Sequence, residues 1–494
     1  MKKFLIILCL SFLCTHAYSN LTQENLQKSL LNIQTSQENE KKPKIFQFFV
    51  KERVLKNLNF NIQGITVVSQ NEPDTRPGFA PDWGTEIFES MVFENIQFED
   101  CNFQWINFTN AHFKNVKFIR CNFQYVAFDQ ASFNHVVFEE SNLSDAIFYK
   151  ADLKQVLFSK NLGLYTSFMQ ANLENVSFVE NNLEGSNFHL ATGHNTNFPS
   201  NTNPHKKPFI LVSWNDQAPG VAGVKALKRI QELGGIPLKF HYKDPEIDSK
   251  KLQEEVKTIF KNIEKNSLIS IPKQILDFAV KGSFPEIEKI KKKAHQFVSA
   301  TSGVYFPGGR DIQPYFYGQE THSHTMTTED IRRDVFEFAI LDELDRSDRP
   351  FLGVCRGIQI ANIWYGGTLN QFVEGHHFVL QEYHLAEAIN ENQTNSVVAN
   401  IFHHTKEKFI GYSHHFQTIG QVGQKLTVTA RSDDQTIKAM EMLNRTFFVL
   451  IQWHPEYQGD LSTPQAILLN EKISQTNIEI YKKFIEASLQ KDEL

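Results

Sequence analysis

Apolar positions recur every five residues from Phe88 to Phe198, a spacing that matches neither the 3.6-residue helix nor the two-residue strand. The series runs Phe93, Phe98, Phe103, Phe108, Phe113, Phe118 and onward, and of its 23 positions only Gly163 and Gly193 are neither Phe nor Leu. Two residues before most of them stands a small or branched side chain, among them Cys101, Ala111, Val116, Cys121, Val126, Ala151 and Val176, and the other three places are mostly polar. A chain with two inward side chains in every five must turn at short regular intervals, which predicts a solenoid. Residues 20–84 lack the period. Asn20 to Lys42 is polar and expected to be partly helical, Pro73, Pro77 and Pro81 mark a loop, and the whole segment is expected to cap the first coil.

From about residue 205 the pattern becomes strand, helix, strand. Phe209 to Trp214 reads as a short buried strand, Gly223 to Leu233 as an amphipathic helix and Pro237 to His241 as the next strand, which predicts a parallel sheet flanked by helices. Residues 245–298 are rich in Lys and Glu and predict helices that serve as scaffold or partly as an insertion near a site mouth. Three strand ends then carry candidate chemistry. Ser302 to Phe306 runs into Pro307-Gly308-Gly309-Arg310-Asp311. Pro350 to Val354 runs into Cys355, followed by a helical stretch from Arg356 to Asn362. Phe447 to Trp453 ends at His454-Pro455-Glu456.

Glycine on both sides of Cys355 is what a nucleophile on a sharp strand-to-helix turn requires, because neighbouring β-carbons would have no room; this is the thiol counterpart of the serine elbow. A helix beginning just after the sulfur directs free N–H groups and a positive dipole end towards it, which favours the thiolate. A thiolate needs a base and a group to orient that base, and His454 with Glu456 supplies both types. The histidines at 376, 377, 403, 404 and 414 fit no closed metal site by spacing and are expected on loops, so no metal and no cofactor is implied.

Charge and composition narrow the setting. The chain of 494 residues has a formal charge of −6, which lacks the cationic field of a non-specific nucleic-acid binder. Residues 1–19 combine Lys2 and Lys3, an apolar run from Phe4 to Cys14 and Ala17-Tyr18-Ser19, the pattern of a cleavable secretory signal peptide too short to remain as a stable membrane span. Lys491-Asp492-Glu493-Leu494 matches an endoplasmic-reticulum retention address. The expected location is therefore the periplasm or the exterior for a bacterial chain, or the reticulum lumen if a eukaryotic receptor reads the tail. Three cysteines remain after the leader, Cys101, Cys121 and Cys355, which make no disulfide scaffold.

Units such as Ala151-Asp152-Leu153-Lys154-Gln155 and Ala171-Asn172-Leu173-Glu174-Asn175 resemble the pentapeptide-repeat family. The resemblance implies a right-handed quadrilateral β-helix over 85–200 with four pentapeptides per coil and Phe or Leu stacked inside. Cys101 and Cys121 would then stack one coil apart, about 4.8 Å, either as two buried thiols or as a disulfide. The outward positions mix both charges, which favours a spacer or a docking scaffold for a protein partner over nucleic-acid mimicry.

Residues 205–475, within a domain expected to run over 205–494, resemble the class I glutamine amidotransferase superfamily, and within it the gamma-glutamyl-gamma-aminobutyrate hydrolase and gamma-glutamyl hydrolase branch. The segments that carry this are PGGRDIQPYFYG (307–318), RRDVFEFAILDE (332–343), PFLGVCRGIQIANIWYGGTLNQ (350–371), SHHFQTI (413–419) and QWHPE (452–456). It implies a flavodoxin-like parallel-sheet domain in which Cys355 is the nucleophile, His454 the general base and Glu456 its orienting acid. The oxyanion hole would come from backbone N–H groups of Gly308, Gly309 and Arg356, and Gln359, His415 and Gln417 would contact a small γ-glutamyl substrate. Two departures stand out: Phe372 replaces the usual Asp after the GGTLxQ run, and Asp434-Gln435 followed by Lys438 replaces an Asp-Gly pair followed by an acidic residue. The implied reaction is hydrolysis of γ-glutamyl amides; the alternatives are a glutaminase feeding ammonia to a partner and a non-catalytic scaffold that binds a protein through its β-helix.

Overall fold

The computed structural model describes residues 47–56, 88, 91–104, 106–188, 190–197, 207–214, 221–242, 246–263, 269–279, 284–327, 330–386, 395–405, 409–456 and 477–490. The leader-like stretch, the polar segment from Asn20 to Lys42, the proline-marked loop and the C-terminal tetrapeptide lie outside these residues. The chain divides into two compact units at Lys206.

The first unit is a parallel β-helix. Its strands β1 (Gln47–Lys56), β2 (Val92–Glu99), β3 (His112–Ile119), β4 (Ser132–Glu139), β5 (Asp152–Ser159), β6 (Asn172–Glu174), β7 (Ser177–Val179) and β8 (Thr192–His194) form one sheet in the order β1-β2-β3-β4-β5-β6-β8, with β7 also beside β5. Register advances by one coil of twenty residues, with Phe93 opposite Phe113 and Phe113 opposite Phe133. Equivalent rings lie in near-parallel stacks, such as Phe103 on Phe123 with centroids 5.0 Å apart and an interplanar angle of 6°. Pairing starts earlier than the period: β1 lies parallel on β2, with Phe48 opposite Phe93 and Leu55 opposite Phe98. Cys101 and Cys121 are buried free thiols whose Sγ atoms donate to the carbonyls of Glu99 and Ile119, each at 3.4 Å. The five-residue turn needs left-handed backbone two residues after an inward position, and that place is taken by Asn115 and Asn175 but also by Arg120, Tyr125 and Lys150. Such residues disfavour positive φ by about 1–2 kcal/mol each. The continuous aromatic core offsets that cost.

The second unit is built on a nine-stranded sheet. Strands β9 (Phe209–Trp214), β10 (Ile236–His241), β11 (Gly303–Phe306), β12 (Phe351–Val354) and β19 (Phe448–Ile451) form its parallel half in the order β10-β9-β11-β12-β19. The order then continues antiparallel through β18 (Ile437–Glu441), β17 (Thr427–Ser432), β14 (His377–Leu385) and β15 (Phe409–His414). A separate antiparallel pair joins β13 (Leu369–Asn370) to β16 (Thr418–Ile419). The helices are α1 (Val221–Glu232), α2 (Ser249–Phe260), α3 (Ile271–Ala279), α4 (Pro285–Ser299), α5 (Arg332–Arg346), α6 (Arg356–Trp364), α7 (Val397–Thr405) and α8 (477–490). The Lys/Glu-rich stretch forms α2, α3 and α4. They pack on one another and, through α3 and α4, on α5. Every residue of β11, β12 and β19 is buried, which is why these strands read as continuous apolar runs. Their C-terminal ends carry the three segments singled out above, the place where ligands bind in open α/β sheets. Among the described residues no helix is long and apolar enough to cross a membrane.

Candidate active site

Cys355 stands between β12 and α6 with φ 53° and ψ −100°, a backbone state that non-glycine residues rarely adopt. The turn is held by the Cys355 N–H donating to Ile451 O at 2.8 Å. Its two glycines are sterically required. A Cβ on Gly357 would sit 2.5 Å from Phe306 O, and one on Gly353 would sit 2.9 Å from the Gly357 carbonyl carbon. Strand β11 and helix α6 therefore close on the elbow with no space for side chains.

The imidazole and the glycine turn converge on the sulfur. A Cβ placed on Gly308 would lie 3.0 Å from His454 Cε1 and 3.7 Å from Cys355 Sγ, so ring, thiol and Gly308 share one contact. His454 Nδ1 is 2.7 Å from Glu456 Oε1, which leaves Nε2 for the thiol side. Burial pushes the His454 pKa down, but the charges of Glu456 and Cys355 outweigh it and raise the pKa to about 10. Behind Glu456, Tyr481 donates to Tyr305 at 3.0 Å, and burial together with the carboxylate keeps both phenols protonated.

Arg356 opens α6, so its N–H precedes any intrahelical acceptor and is suited to a developing oxyanion. Its side chain does a second job. The buried guanidinium pairs with Asp334 and Glu337 of α5 and donates through Nε to Arg310 O at 2.9 Å. Arg333 bonds Glu337 at 2.8 Å and reaches the carbonyls of Pro307 at 3.3 Å and Gly308 at 3.2 Å. Two arginines thus hold three carbonyls of the glycine turn. Burial raises the Asp334 pKa to about 6 despite Arg356, whereas Arg333 and Arg356 hold Glu337 below its usual value against burial. Arg333, Asp334 and Glu337 received no role from sequence, although charges inside an otherwise apolar helical stretch were a usable signal.

Gln359, His415 and Gln417 come together beside the elbow. Gln359 Nε2 donates to Gln417 O at 3.1 Å, so it positions the 415–417 stretch; both amide atoms of Gln417 and the Tyr317 hydroxyl are buried without a hydrogen-bond partner. Such atoms are costly unless a ligand satisfies them. His414 O lies 3.9 Å from Cys355 Sγ, placing this stretch along one side of the thiol.

Of the histidines expected on loops, His376 does lie in the turn before β14, where it is buried, whereas His377 lies in β14, His414 ends β15, and His403 and His404 lie in α7. Among the described residues no group of three potential ligands is arranged to hold a metal. Phe372 stacks on His324 at 4.3 Å and on Phe416 at 5.7 Å, joining the loop after the glycine turn to the 414–417 stretch.

A family model described as peptidase C26 matches residues 275–456, and one described as a pentapeptide repeat region matches residues 111–188. The glutamine amidotransferase-like protein YvdE of Lactococcus lactis is 32% identical over 165 residues, which cover 32% of this chain and 68% of that protein. A protein of Mycobacterium tuberculosis bearing a glutamine amidotransferase name is 36% identical over 166 residues, covering 31% of this chain and 50% of that one. Gamma-glutamyl-gamma-aminobutyrate hydrolase PuuD of Escherichia coli is 24% identical over 211 residues, covering 38% and 77%.

Proposed function

Because the chain belongs to the class I glutamine amidotransferase-like peptidase C26 family, we propose that it is a cysteine hydrolase of γ-glutamyl amide bonds acting through Cys355, His454 and Glu456. The observation that carries this reading is the positive-φ elbow at Cys355, with the Glu456-bound imidazole of His454 and the Gly308 turn meeting at its sulfur.

In the proposed reaction the Cys355 thiolate attacks the γ-carbonyl carbon, and the oxygen takes the negative charge beside the amides of Arg356 and the Gly308-Gly309 turn. The carbon–nitrogen bond breaks as His454 gives its proton to the departing amine. His454 then takes a proton from water, the hydroxide attacks the thioester, and the carbon–sulfur bond breaks to release glutamate and restore the thiolate. Glu456 holds the ring in the required tautomer throughout. Buried, unsatisfied Gln417 and Tyr317 groups support recognition of a polar acyl group such as glutamyl. The leader-like residues 1–19 support export, and the β-helix is read as a docking scaffold for a protein partner.

The test is glutamate release from glutamine, γ-glutamyl-γ-aminobutyrate and γ-glutamyl-p-nitroanilide by the full chain and by Cys355→Ala. Turnover by the wild type alone is expected. Turnover of none of them would return the weight to the scaffold reading.

A further inference from the structure

The fold gives Lys438 an unusual setting. It lies on β18, where all five residues are buried, and it is itself fully enclosed. Its nitrogen lies 2.7 Å from Gln381 Oε1, 3.1 Å from His376 Nδ1, 3.2 Å from Ser413 Oγ and 3.2 Å from His415 Nε2, four polar neighbours for three N–H donors, and it stands 5.4 Å from the centre of the Tyr383 ring. No carboxylate is among those partners. The nearest acidic link is indirect, through His376 Nε2, which is 2.9 Å from Asp434 Oδ2.

An ammonium only donates, so when Lys438 is charged and bonded to His415, that ring turns the lone pair of Nε2 towards it and carries its proton on Nδ1. His376 Nδ1 has a second neighbour, Gln381 Oε1 at 3.0 Å, to which it can donate instead. The two rings lie nearly parallel, 10° apart with centroids at 5.2 Å. Burial and the Lys438 charge hold the His415 pKa well below its ordinary value, so His415 is a neutral ring with one defined tautomer.

Ser413 and His415 flank His414, whose carbonyl touches the Cys355 sulfur, and the chain continues to Gln417, whose carbonyl takes the Gln359 amide. One buried cation therefore ties the wall beside the thiol to β14 and β18. Enclosing a charge is expensive, and a neutral side chain could fill the same space at lower cost.

We propose that Lys438 is a positioning residue for the hydrolysis, its buried ammonium clamping the 413–417 wall and fixing the His415 tautomer so that the acyl group is held beside Cys355. This rests on the γ-glutamyl hydrolase reading. Burial lowers the Lys438 pKa to about 7, with Asp434 and Cys355 opposing, so the clamp titrates near neutrality. The groups facing it are His376, Gln381 and Tyr383 from β14 and the turn before it, Ser413 and His415 from β15 and its end, and Asp434 from the β17–β18 turn; His454 in turn faces His415. Activity should decline as pH rises through about 7 and the clamp loses its proton. The Lys438 contribution to stability should move the other way, rising with pH between about 7 and the ordinary 10.5, because there the unfolded chain binds a proton that the folded chain does not; it is read as the difference between wild type and Lys438→Met, since the raised pKa of His454 contributes the opposite slope. A purely structural role would leave the same stability contribution with no fall in the rate near pH 7.

The experiment compares the wild type with Lys438→Met and Lys438→Gln in the full chain. It measures γ-glutamyl-p-nitroanilide turnover from pH 6 to 9 per active site, sites being counted by labelling with a diazo-ketone glutamine analogue, and reads histidine tautomers from ¹⁵N spectra. Removing a charged hydrogen-bond donor predicts a loss of kcat/KM per labelled site of about 10- to 100-fold, carried mainly by KM. The fall in rate near pH 7 should disappear in both variants, and His415 should become a mixture of tautomers. Wild-type kinetics per labelled site, or an unchanged His415 tautomer in either variant, would overturn the proposal. If a variant does not fold, the wild-type His415 signals decide: they must change form with the same pH midpoint as the rate. If the wild type turns over no γ-glutamyl compound, the hydrolase reading fails and takes the positioning role with it, while the ¹⁵N spectra still report whether Lys438 sets the ring.

Discussion

Glu456 is the residue on which the state of His454 turns. A buried imidazole would ordinarily be neutral at pH 7, yet the carboxylate 2.7 Å from Nδ1 and the neighbouring thiolate raise its pKa to about 10. Because the folded value is raised, the stabilisation from the charged ring is complete below about pH 6.5 and is lost as pH climbs through about 10. Glu456→Gln should move that loss towards neutral pH, because one of the two raising charges is gone while burial remains. Denaturant midpoints measured from pH 6 to 10.5 should show a decline that begins near pH 6.5 in both proteins but levels off at least one pH unit earlier, and after a smaller loss, in the variant. Turnover of γ-glutamyl-p-nitroanilide should fall by about 100-fold or more, as when a base loses its orienting carboxylate. Identical pH profiles would mean that Glu456 does not govern the ring.

The elbow is the element in which sequence and structure agree most closely, for a steric reason. Glycines two before and two after a cysteine have meaning only if β-carbons cannot fit, and the Gly357 position stands 2.5 Å from Phe306 O, a backbone atom that cannot swing aside. Gly357→Ala should therefore force β11 and α6 apart. A loss of about 1–3 kcal/mol in unfolding free energy is expected from overpacking, together with slower labelling of Cys355 by a diazo-ketone glutamine analogue. An unchanged labelling rate would show that the elbow tolerates displacement. The solenoid was equally legible, since Phe and Leu at every fifth place specify register directly. The antiparallel half of the sheet was not. Strands such as Ile437–Glu441 include Lys438 and Glu441, which are buried because His376, Gln381, Ser413, His415 and Ser396 satisfy them, and a single chain gives no sign of partners more than twenty residues away. The ion pairs behind the glycine turn were only partly legible: Arg333 and Glu337 are four residues apart on α5, but Arg356 meets Asp334 and Glu337 only when α6 packs on α5.

At the scale of the whole molecule the two units are stabilised by different physics, and the solenoid is the simpler to perturb. Each coil touches only the coils above and below, so stability is close to a sum of neighbouring interfaces. Phe128 lies in the middle of the stack, fully buried, with Phe108 on one side at 5.3 Å and Phe148 on the other at 4.8 Å. Phe188 has Phe168 on one side at 4.8 Å and is only partly buried. Truncating a buried Phe costs about 3–5 kcal/mol through lost transfer energy and the cavity left behind. Phe128→Ala should approach that full cost and Phe188→Ala roughly half of it, since a partly exposed ring loses less and its space can collapse or fill with water. Chemical denaturation followed by far-ultraviolet dichroism at the strand band measures both. Equal losses at the two positions would show that the β-helix unfolds as one block with no weaker end, and would contradict the nearest-neighbour account of its stability.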